Sequence, residues 1–179
     1  IRVRPIGDVL GSLRLVVEDA YVGKVSHNAT FDCTVLSNNG INVKGLAFDT
    51  MLAAHMLGRK SLGLKELALE VLGEPMAPIT SIIGLGRNQT TFDAVPIELA
   101  AAYAAADADM TLRLRLPLQR DLESMGSWKL LEEVELPLLP VIVGMQRTGI
   151  AVDIKLLEKM GVTLGREIER LEAEGHISV

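Results

Sequence analysis

The chain has 179 residues, of which 49% are hydrophobic and 3% aromatic, and it carries a formal net charge of −5 at pH 7. This hydrophobic content excludes a disordered tail, and the scarcity of aromatic residues argues against a surface built to stack on bases. The single cysteine, Cys33, excludes an internal disulfide, and no apolar run approaches the roughly 20 residues that span a bilayer. We therefore expect a soluble, cytoplasmic protein, and because the first residue is Ile1 rather than methionine, we expect a fragment of a longer chain.

The first half of the chain alternates helical periodicity with short β-prone runs. The predicted elements, in chain order, are a helix over 9–17, a strand over 22–26, a helix over 29–36, a strand over 43–48, and two helices within 49–57 and 61–73. Asn39-Gly40 ends the second helix, and Gly73 followed by Pro75 ends the last of them. Strands that alternate with helices are typical of an α/β fold.

The second half of the chain is mostly helical in pattern. Residues 74–91 lose periodicity and collect Pro, Gly, Ser and Thr, which predicts a loop. A long helix starts near Pro96, and Pro117 is expected to bend or end it because proline lacks the N–H that a helix interior needs. The remaining predicted features are a junction at Gly126, a further helix, a short strand over 150–152 and a last helix from Asp153.

Two aspartates stand in a helical run of small and apolar residues, YAAADADMTLRLRL. Tyr103 and Asp107 fall on one apolar stripe of this helix, whereas Asp109 lies off the stripe and has Arg113 at i+4 for a surface ion pair. Asp107 has only Thr111 at i+4. A carboxylate beside an apolar stripe needs a hydrogen-bonding, cationic or metal partner, so the pattern indicates that Asp107 has one.

Two short motifs carry a family resemblance. NATFD contains Asn28, Phe31 and Asp32, and YAAAD contains Tyr103 and Asp107. In this order they resemble the second and third motifs, N-x-x-[Y/F]-D and Y-x-x-x-D, of the DEDDy proofreading nucleases. Together with the runs DTMLAAHML and NQTTF, they make nearly the whole chain resemble the 3′-5′ exonuclease domain of the bacterial DNA polymerase I family, a group within family A.

The tail EEVELPLLPVIVGMQRTGIAVDIKLLEKM extends this resemblance. It looks like the entry to the polymerase domain of the same family, and free-standing relatives such as ribonuclease D lack it. The resemblance implies a ribonuclease H-like α/β exonuclease domain over 1–122. It further implies a linker and the helical start of the polymerase domain, in a thumb-like region, over 123–179.

The resemblance also implies roles for the motif residues. Asp32 and Asp107 would each help to hold one of two Mg²⁺ or Mn²⁺ ions, since hard oxygen ligands suit these ions and two-metal sites hydrolyse phosphodiesters. Tyr103 would position the attacking water, and Asn28 and Phe31 would contact the terminal nucleotides. The implied partners are the single-stranded 3′ end of a primer-template DNA and the polymerase domain of the same parent chain, at the nucleoid of a bacterial cytoplasm.

The chain departs from the family pattern at the first motif, a D-x-E whose carboxylates bridge the metals. The only D-x-E here, Asp121-Leu122-Glu123, follows the third motif and cannot take that place. We therefore expect an exonuclease domain without its first strands, and a fragment that is by itself inactive. In addition, Ala106 stands where relatives often carry Glu, and Ile79 stands near a position that is often aromatic.

Other interpretations of the same residues stay open. The domain would be a catalytically silent spacer beside the polymerase if the first motif is eroded, or a ribonuclease D type RNA-processing enzyme, which the tail disfavours. Without a catalytic role, Asp32 would be an ordinary helix-start carboxylate, Asp107 a core aspartate satisfied by hydroxyls, and Tyr103 a packing residue. His27 and His55 have no second His or Cys at ligand spacing, and we expect them to be structural or exposed.

Overall fold

The computed structural model describes residues 5–177. The chain divides into two compact units, Ile1–Arg147 and Thr148–Val179. The helices and strands up to this division are α1 (Ile6–Val17), β1 (Lys24–Ser26), α2 (Ala29–Asn38), β2 (Leu46–Asp49), α3 (Thr50–Met56), α4 (Leu64–Leu67), α5 (Thr80–Ile83), α6 (Ile97–Ser124), α7 (Trp128–Leu130) and α8 (Leu136–Thr148). Two π-helical turns, Ala68–Leu72 and Leu131–Glu135, continue α4 and α7.

β1 and β2 form a parallel sheet of two strands, the one sheet within the described residues. The register pairs Lys24 with Leu46, Val25 with Phe48 and Ser26 with Asp49, with an irregularity between the first two pairs. Parallel neighbours need a crossover connection, which α2 provides. The carboxyl ends of both strands therefore lie at one edge of the sheet, where α2 and α3 begin. This sheet confirms the predicted alternation, although most of the described chain is helical.

The core of the first unit joins the sheet to α6. Leu114, Leu118 and Leu122 are fully buried and recur every four residues on one face of that helix. Phe48 of β2 is fully buried as well, and its ring stacks on Trp128 with centroids 6.2 Å apart and planes at 23°. Burial of each such side chain contributes about 1.5–3 kcal/mol, so apolar contact fixes α6 beside the strands.

Pro117 lies inside α6 and does not end it, because the helix runs on to Ser124. The proline has no N–H to donate to the carbonyl of Arg113, a loss that costs roughly 3 kcal/mol in a helix interior. Leu114 precedes Pro117 and Leu118 follows it, and both are fully buried. The burial of these side chains outweighs the lost hydrogen bond.

The strand predicted over 150–152 is wrong, whereas the loop predicted over 74–91 is largely confirmed. Residues 150–152 form no strand: Ile150 is 92% exposed and has no regular backbone pairing in the described chain. A strand needs a neighbour for its N–H and C=O groups, and the short apolar run offers none. The stretch 74–91 is irregular as predicted, except for α5 and a 3-10 turn at Gly86–Asn88.

The second unit consists of the connection after α8 and the helix α9 (Ile154–Ile177). Asp153 begins this helix as predicted, since its Oδ1 accepts a hydrogen bond from the Leu156 N–H at 3.0 Å. The Arg170 guanidinium pairs with Glu167 and Glu174, each at 2.6 Å, and stabilises the exposed surface of the helix. Within the described residues, no helix has the length and apolar content needed to cross a membrane.

Candidate functional site

A cleft of about 590 Å³ opens where β1 ends and α2 begins. Its walls come from four parts of the chain that are remote in sequence: β1 with the turn after it, α2, the start of α4, and α6. The side chains that can ionise or bind metals in this lining are His27, Asp32, Lys65, Glu66, Tyr103 and Asp107. The fold thus concentrates chemically active groups at the carboxyl edge of the sheet.

Asp32, Tyr103 and Asp107 all line this one cleft, as the motif interpretation requires. Asp32 is presented by the first turn of α2, whereas Tyr103 and Asp107 lie one turn apart on α6. The Tyr103 ring packs edge-on against Phe92, with centroids 6.2 Å apart. The roles of these three residues in metal binding and catalysis stay predictions.

Asp107 has a cationic partner that the sequence did not reveal. The Lys65 ammonium lies 3.4 Å from Asp107 Oδ1 and 4.4 Å from the centroid of the Tyr103 ring. Thr111 at i+4 instead donates its hydroxyl to the Asp107 backbone carbonyl at 2.7 Å, so it leaves the carboxylate to Lys65. Burial tends to lower the pKa of Lys65, but hydrogen bonding to Tyr103 and the charge of Asp107 outweigh it and raise the pKa above its usual value.

The start of α2 is held by a second acidic residue that the motifs do not contain. Asp49, at the end of β2, is 2% exposed. Its carboxylate accepts hydrogen bonds from the N–H groups of Asn28 (3.3 Å), Ala29 (2.5 Å), Met51 (2.9 Å) and Leu52 (3.0 Å). It therefore caps α3 and ties the turn after β1 to the end of β2, which fixes the direction in which α2 leaves the sheet.

Asn28 adopts a left-handed backbone conformation, with φ 64° and ψ 57°. It is the only residue other than glycine with positive φ in the described chain. A left-handed residue with a Cβ is uncommon, and asparagine is among those that tolerate it best. The hydrogen bonds to Asp49 compensate for this conformation, which turns the chain sharply between β1 and α2.

The predicted nucleotide-contacting residues are separated from the cleft lining. Phe31 is 66% exposed and does not line the cleft. Asn28 instead lines a small cavity of about 220 Å³, together with Asp49, Met51 and His55. The structure therefore brings together the three residues predicted for catalysis, while Asn28 and Phe31 lie next to that group rather than within it.

Besides Lys65, two more ionisable groups in the cleft have pKa values that are shifted by their surroundings. Burial, and secondly the charge of Asp49, raises the pKa of Asp32 above its usual value. Burial lowers the pKa of His27, against the opposing charges of Asp49 and Asp107. The His27 Nδ1 lies 2.9 Å from Thr50 Oγ1, so His27 is anchored by a hydrogen bond as well as lining the cleft.

The other acidic residues singled out by the sequence lie elsewhere. Asp121 of the D-x-E sequence pairs with Arg59, and Glu123 accepts a hydrogen bond from Gln119 at 2.8 Å. Asp109 lies 3.6 Å from Arg113, which also donates to Glu74 at 2.8 Å. None of these carboxylates lines the cleft, so none of them is a candidate metal ligand there.

The cleft offers oxygen donors of the type that bind divalent ions, but it offers too few of them for a complete metal site. Asp32 and Asp107 supply carboxylate oxygens, the ligands that Mg²⁺ and Mn²⁺ prefer. Within residues 5–177, however, no group of three or more His, Cys, Asp or Glu side chains is arranged to hold a metal ion. Asp32 and Asp107, the second compensated by Lys65, do not make a complete site, and Glu66, the third carboxylate of the lining, does not complete it.

Sequence comparison finds relatives along most of the chain. Residues 4–123 match the family of 3′-5′ exonuclease domains found in A-type DNA polymerases. The DNA polymerase I of Chloroflexus aurantiacus is 45% identical over 170 residues, which cover 93% of this chain and 18% of that protein. The DNA polymerase I of Pseudomonas aeruginosa is 38% identical over 94% of this chain and 19% of that protein. The chain thus spans less than a fifth of the length of these relatives.

Solved structures share the fold. The POL domain of Pol1 from M. smegmatis, in complex with DNA primer-template and dNTP, matches with a TM-score of 0.69 and 24% identity, over 94% of this chain and 26% of that one. Brucella melitensis NrnC matches with a TM-score of 0.62 and 21% identity, over 76% of this chain and 64% of that one. NrnC with bound Mg²⁺ matches with a TM-score of 0.60 and 21% identity, over 79% of this chain and 67% of that one.

Proposed function

The chain belongs to the 3′-5′ exonuclease domain family of A-type DNA polymerases, and from this premise we propose that it forms the proofreading part of a DNA polymerase I. In this role it removes mispaired nucleotides from the single-stranded 3′ end of a primer by hydrolysing phosphodiester bonds. One observation carries the proposal: Asp32 and Asp107, from motifs far apart in sequence, line a single cleft with Tyr103 beside them.

The metal ions that this chemistry needs would be held by Asp32 and Asp107. Two bound divalent ions supply Lewis acidity and a water of lowered pKa. We propose that the remaining ligands are the D-x-E carboxylates of the family's first motif, which come from outside residues 5–177. The described residues alone are therefore expected to be inactive, because two carboxylates cannot hold two ions in register.

The chain's own side chains have distinct tasks in the cleft. The Tyr103 hydroxyl orients the water that attacks the phosphodiester, since the ring is fixed between Phe92 and Lys65. Lys65 compensates the charge of Asp107 until substrate and ions are bound. Asp49 positions α2, and with it Asp32 and the nucleotide-contacting residues Asn28 and Phe31.

The proposed organisation divides the chain near Leu122. Residues 1–122 form the exonuclease domain, as the family match over residues 4–123 supports. Residues 123–179 form a linker and the helical start of the polymerase domain, supported by relatives whose DNA polymerase I extends far beyond the matched region. Primer-template DNA is the proposed substrate, since the M. smegmatis relative in fold is bound to it, and the bacterial nucleoid is the proposed location.

A catalytically silent spacer is the second candidate function. It is favoured by the Lys65–Asp107 contact, because a cation already compensates one of the two predicted metal ligands. A ribonuclease D type enzyme is a further alternative, favoured by the likeness to NrnC, which has been solved bound to pGG. The polymerase-like tail and the DNA polymerase I relatives disfavour it.

The deciding experiment uses the full-length protein that contains this chain. A single-stranded DNA oligonucleotide labelled at its 5′ end is incubated with Mg²⁺, and its shortening is followed on a denaturing gel. Stepwise loss from the 3′ end that disappears in Asp107→Asn supports the proofreading function. An intact oligonucleotide, with polymerase activity retained, supports the spacer, and faster loss of an RNA oligonucleotide supports the ribonuclease.

A further inference from the structure

A second cavity, of about 610 Å³, lies in the first unit and shares no lining residue with the catalytic cleft. It is enclosed by the last turns of α2, by β2 with the loop before it, and by one face of α8. Its volume falls in the range of about 300–1,000 Å³ that is typical of pockets for small organic molecules. The proposed exonuclease function makes no use of it.

Most of the cavity wall is apolar. Leu139 and Val143 of α8 contribute to it, as do Leu46 and Ala47 of β2. Trp128 also lines the cavity, and stacking on the buried Phe48 fixes the orientation of its ring. A fixed indole among aliphatic side chains favours a flat, apolar body as the occupant, whereas water gains few hydrogen bonds from such a wall.

Two cationic side chains interrupt this apolar wall. Arg115 of α6 and Arg147 of α8 line the cavity with a single carboxylate, Glu132, which leaves one net positive charge. Among the salt bridges of the described residues, neither guanidinium has a carboxylate partner. The Arg115 Nε is moreover buried and has no hydrogen-bond partner in the described chain. A buried N–H without an acceptor is unfavourable, so the Arg115 Nε has an unused donor for an oxyanion that enters the cavity.

We propose that this cavity binds an organic anion that carries one phosphate or carboxylate group on a flat, apolar body. The guanidinium groups of Arg115 and Arg147 match such oxyanions in shape and charge, and Trp128 packs against the body. Nucleoside monophosphates and aromatic carboxylates share this chemistry. The binding site is independent of the exonuclease function, because it uses none of the residues of the cleft.

Trp128 provides a direct test, since it is the only tryptophan in the chain and it lines the cavity. Its fluorescence is titrated with dAMP and, separately, with benzoate, in EDTA so that no nucleotide is held in the cleft through divalent ions. Deoxyadenosine and inorganic phosphate serve as probes that lack the anion and the flat body, respectively. A saturable change with dAMP supports a nucleotide as the source of the anion, and a change with benzoate supports a carboxylate.

Arg115→Met is expected to weaken the binding of the responding probe about tenfold, the effect of losing one charge-assisted hydrogen bond. Arg120→Met is the matched control, because Arg120 lies on the same helix but does not line the cavity. Should Arg115→Met fail to fold, the exposed Arg147→Met gives the same comparison, with a weakening of severalfold. Equal binding in the arginine variants and the control, equal binding of deoxyadenosine, or no saturable response to dAMP and benzoate would each overturn the proposal.

Discussion

The Lys65 ammonium lies 3.4 Å from the Asp107 carboxylate, although 42 residues separate the two in sequence. Both side chains are partly exposed, at 25% and 35% of their side-chain surface. The pair lies in the cleft that we propose as the exonuclease site, so the Lys65 ammonium lies beside a predicted metal ligand. A cation beside a carboxylate competes with any metal ion for the same charge.

We expect Lys65→Met to raise the affinity of the chain for Mg²⁺ by about two- to fivefold, since a half-exposed ion pair is worth at most about 1 kcal/mol. Isothermal titration calorimetry, or electron paramagnetic resonance with Mn²⁺, measures the change. Lys129→Met is the control, because Lys129 is exposed and does not line the cleft. Unchanged affinity in Lys65→Met would show that this ammonium does not compete at Asp107.

Asp49→Ala is expected to lower the free energy of unfolding by about 2–4 kcal/mol, because several N–H groups lose a charged acceptor at once. Asp49 is almost fully buried, so water replaces these hydrogen bonds poorly. Asp19→Ala removes one exposed hydrogen bond, from the Tyr21 N–H, and should cost no more than about 0.5 kcal/mol. Urea denaturation monitored by circular dichroism compares the two, and similar costs would contradict the assigned role of Asp49.

The convergence of Asp32, Tyr103 and Asp107 on one cleft was predictable from the sequence through the resemblance of the two motifs to those of the exonuclease family. The contacts of Lys65 and Asp49 were not. Lys65 reaches Asp107 only because α4 packs near α6, and the residue belongs to no motif. Asp49 belongs to neither motif, and its bonds to Asn28 and Ala29 depend on the parallel pairing of two strands.

Local sequence signals do not decide the backbone alone where tertiary contacts act on it. Pro117 is a strong helix breaker in isolation, yet Leu114 and Leu118 are buried on either side of it and α6 continues. The run 150–152 has apolar residues at both ends but no neighbouring strand, so it stays irregular. Both outcomes depend on packing that a single sequence does not display.

Asp32 should make the stability of the fold depend on pH. Burial and the charge of Asp49 raise its pKa above the usual 3.8, so the folded state binds this proton more tightly than the unfolded state. The resulting stabilisation is fully present at pH values below the pKa that Asp32 has in the unfolded state. It is lost as pH rises through the pKa that Asp32 has in the folded state. We therefore expect Asp32→Asn to be more stable than the wild type at about pH 7, and to lose that advantage at about pH 3.

Urea denaturation at both pH values measures this difference, which should be small because Asp32 remains partly exposed. Glu172→Gln, on the exposed surface of α9, is the control and should change stability equally at the two pH values. A stability difference for Asp32→Asn that is the same at both pH values would show that the carboxylate is not shifted by its surroundings.

Asp107 and Asp109 lie on the same helix, so variants of the two residues can be compared to test whether only Asp107 is needed for catalysis. In the full-length protein, Asp107→Ala should reduce Mg²⁺-dependent degradation of single-stranded DNA by about a hundredfold or more, because it removes a proposed ligand of the metal ion that would stabilise charge in the transition state. Asp109→Ala should leave the rate within about twofold of the wild type, since Asp109 is 59% exposed and its partner Arg113 keeps Glu74. Single-turnover hydrolysis of a 5′-labelled oligonucleotide measures both rates, with polymerase activity as the check on folding. An equal loss in the two variants would mean that the cleft beside Tyr103 is not the catalytic site.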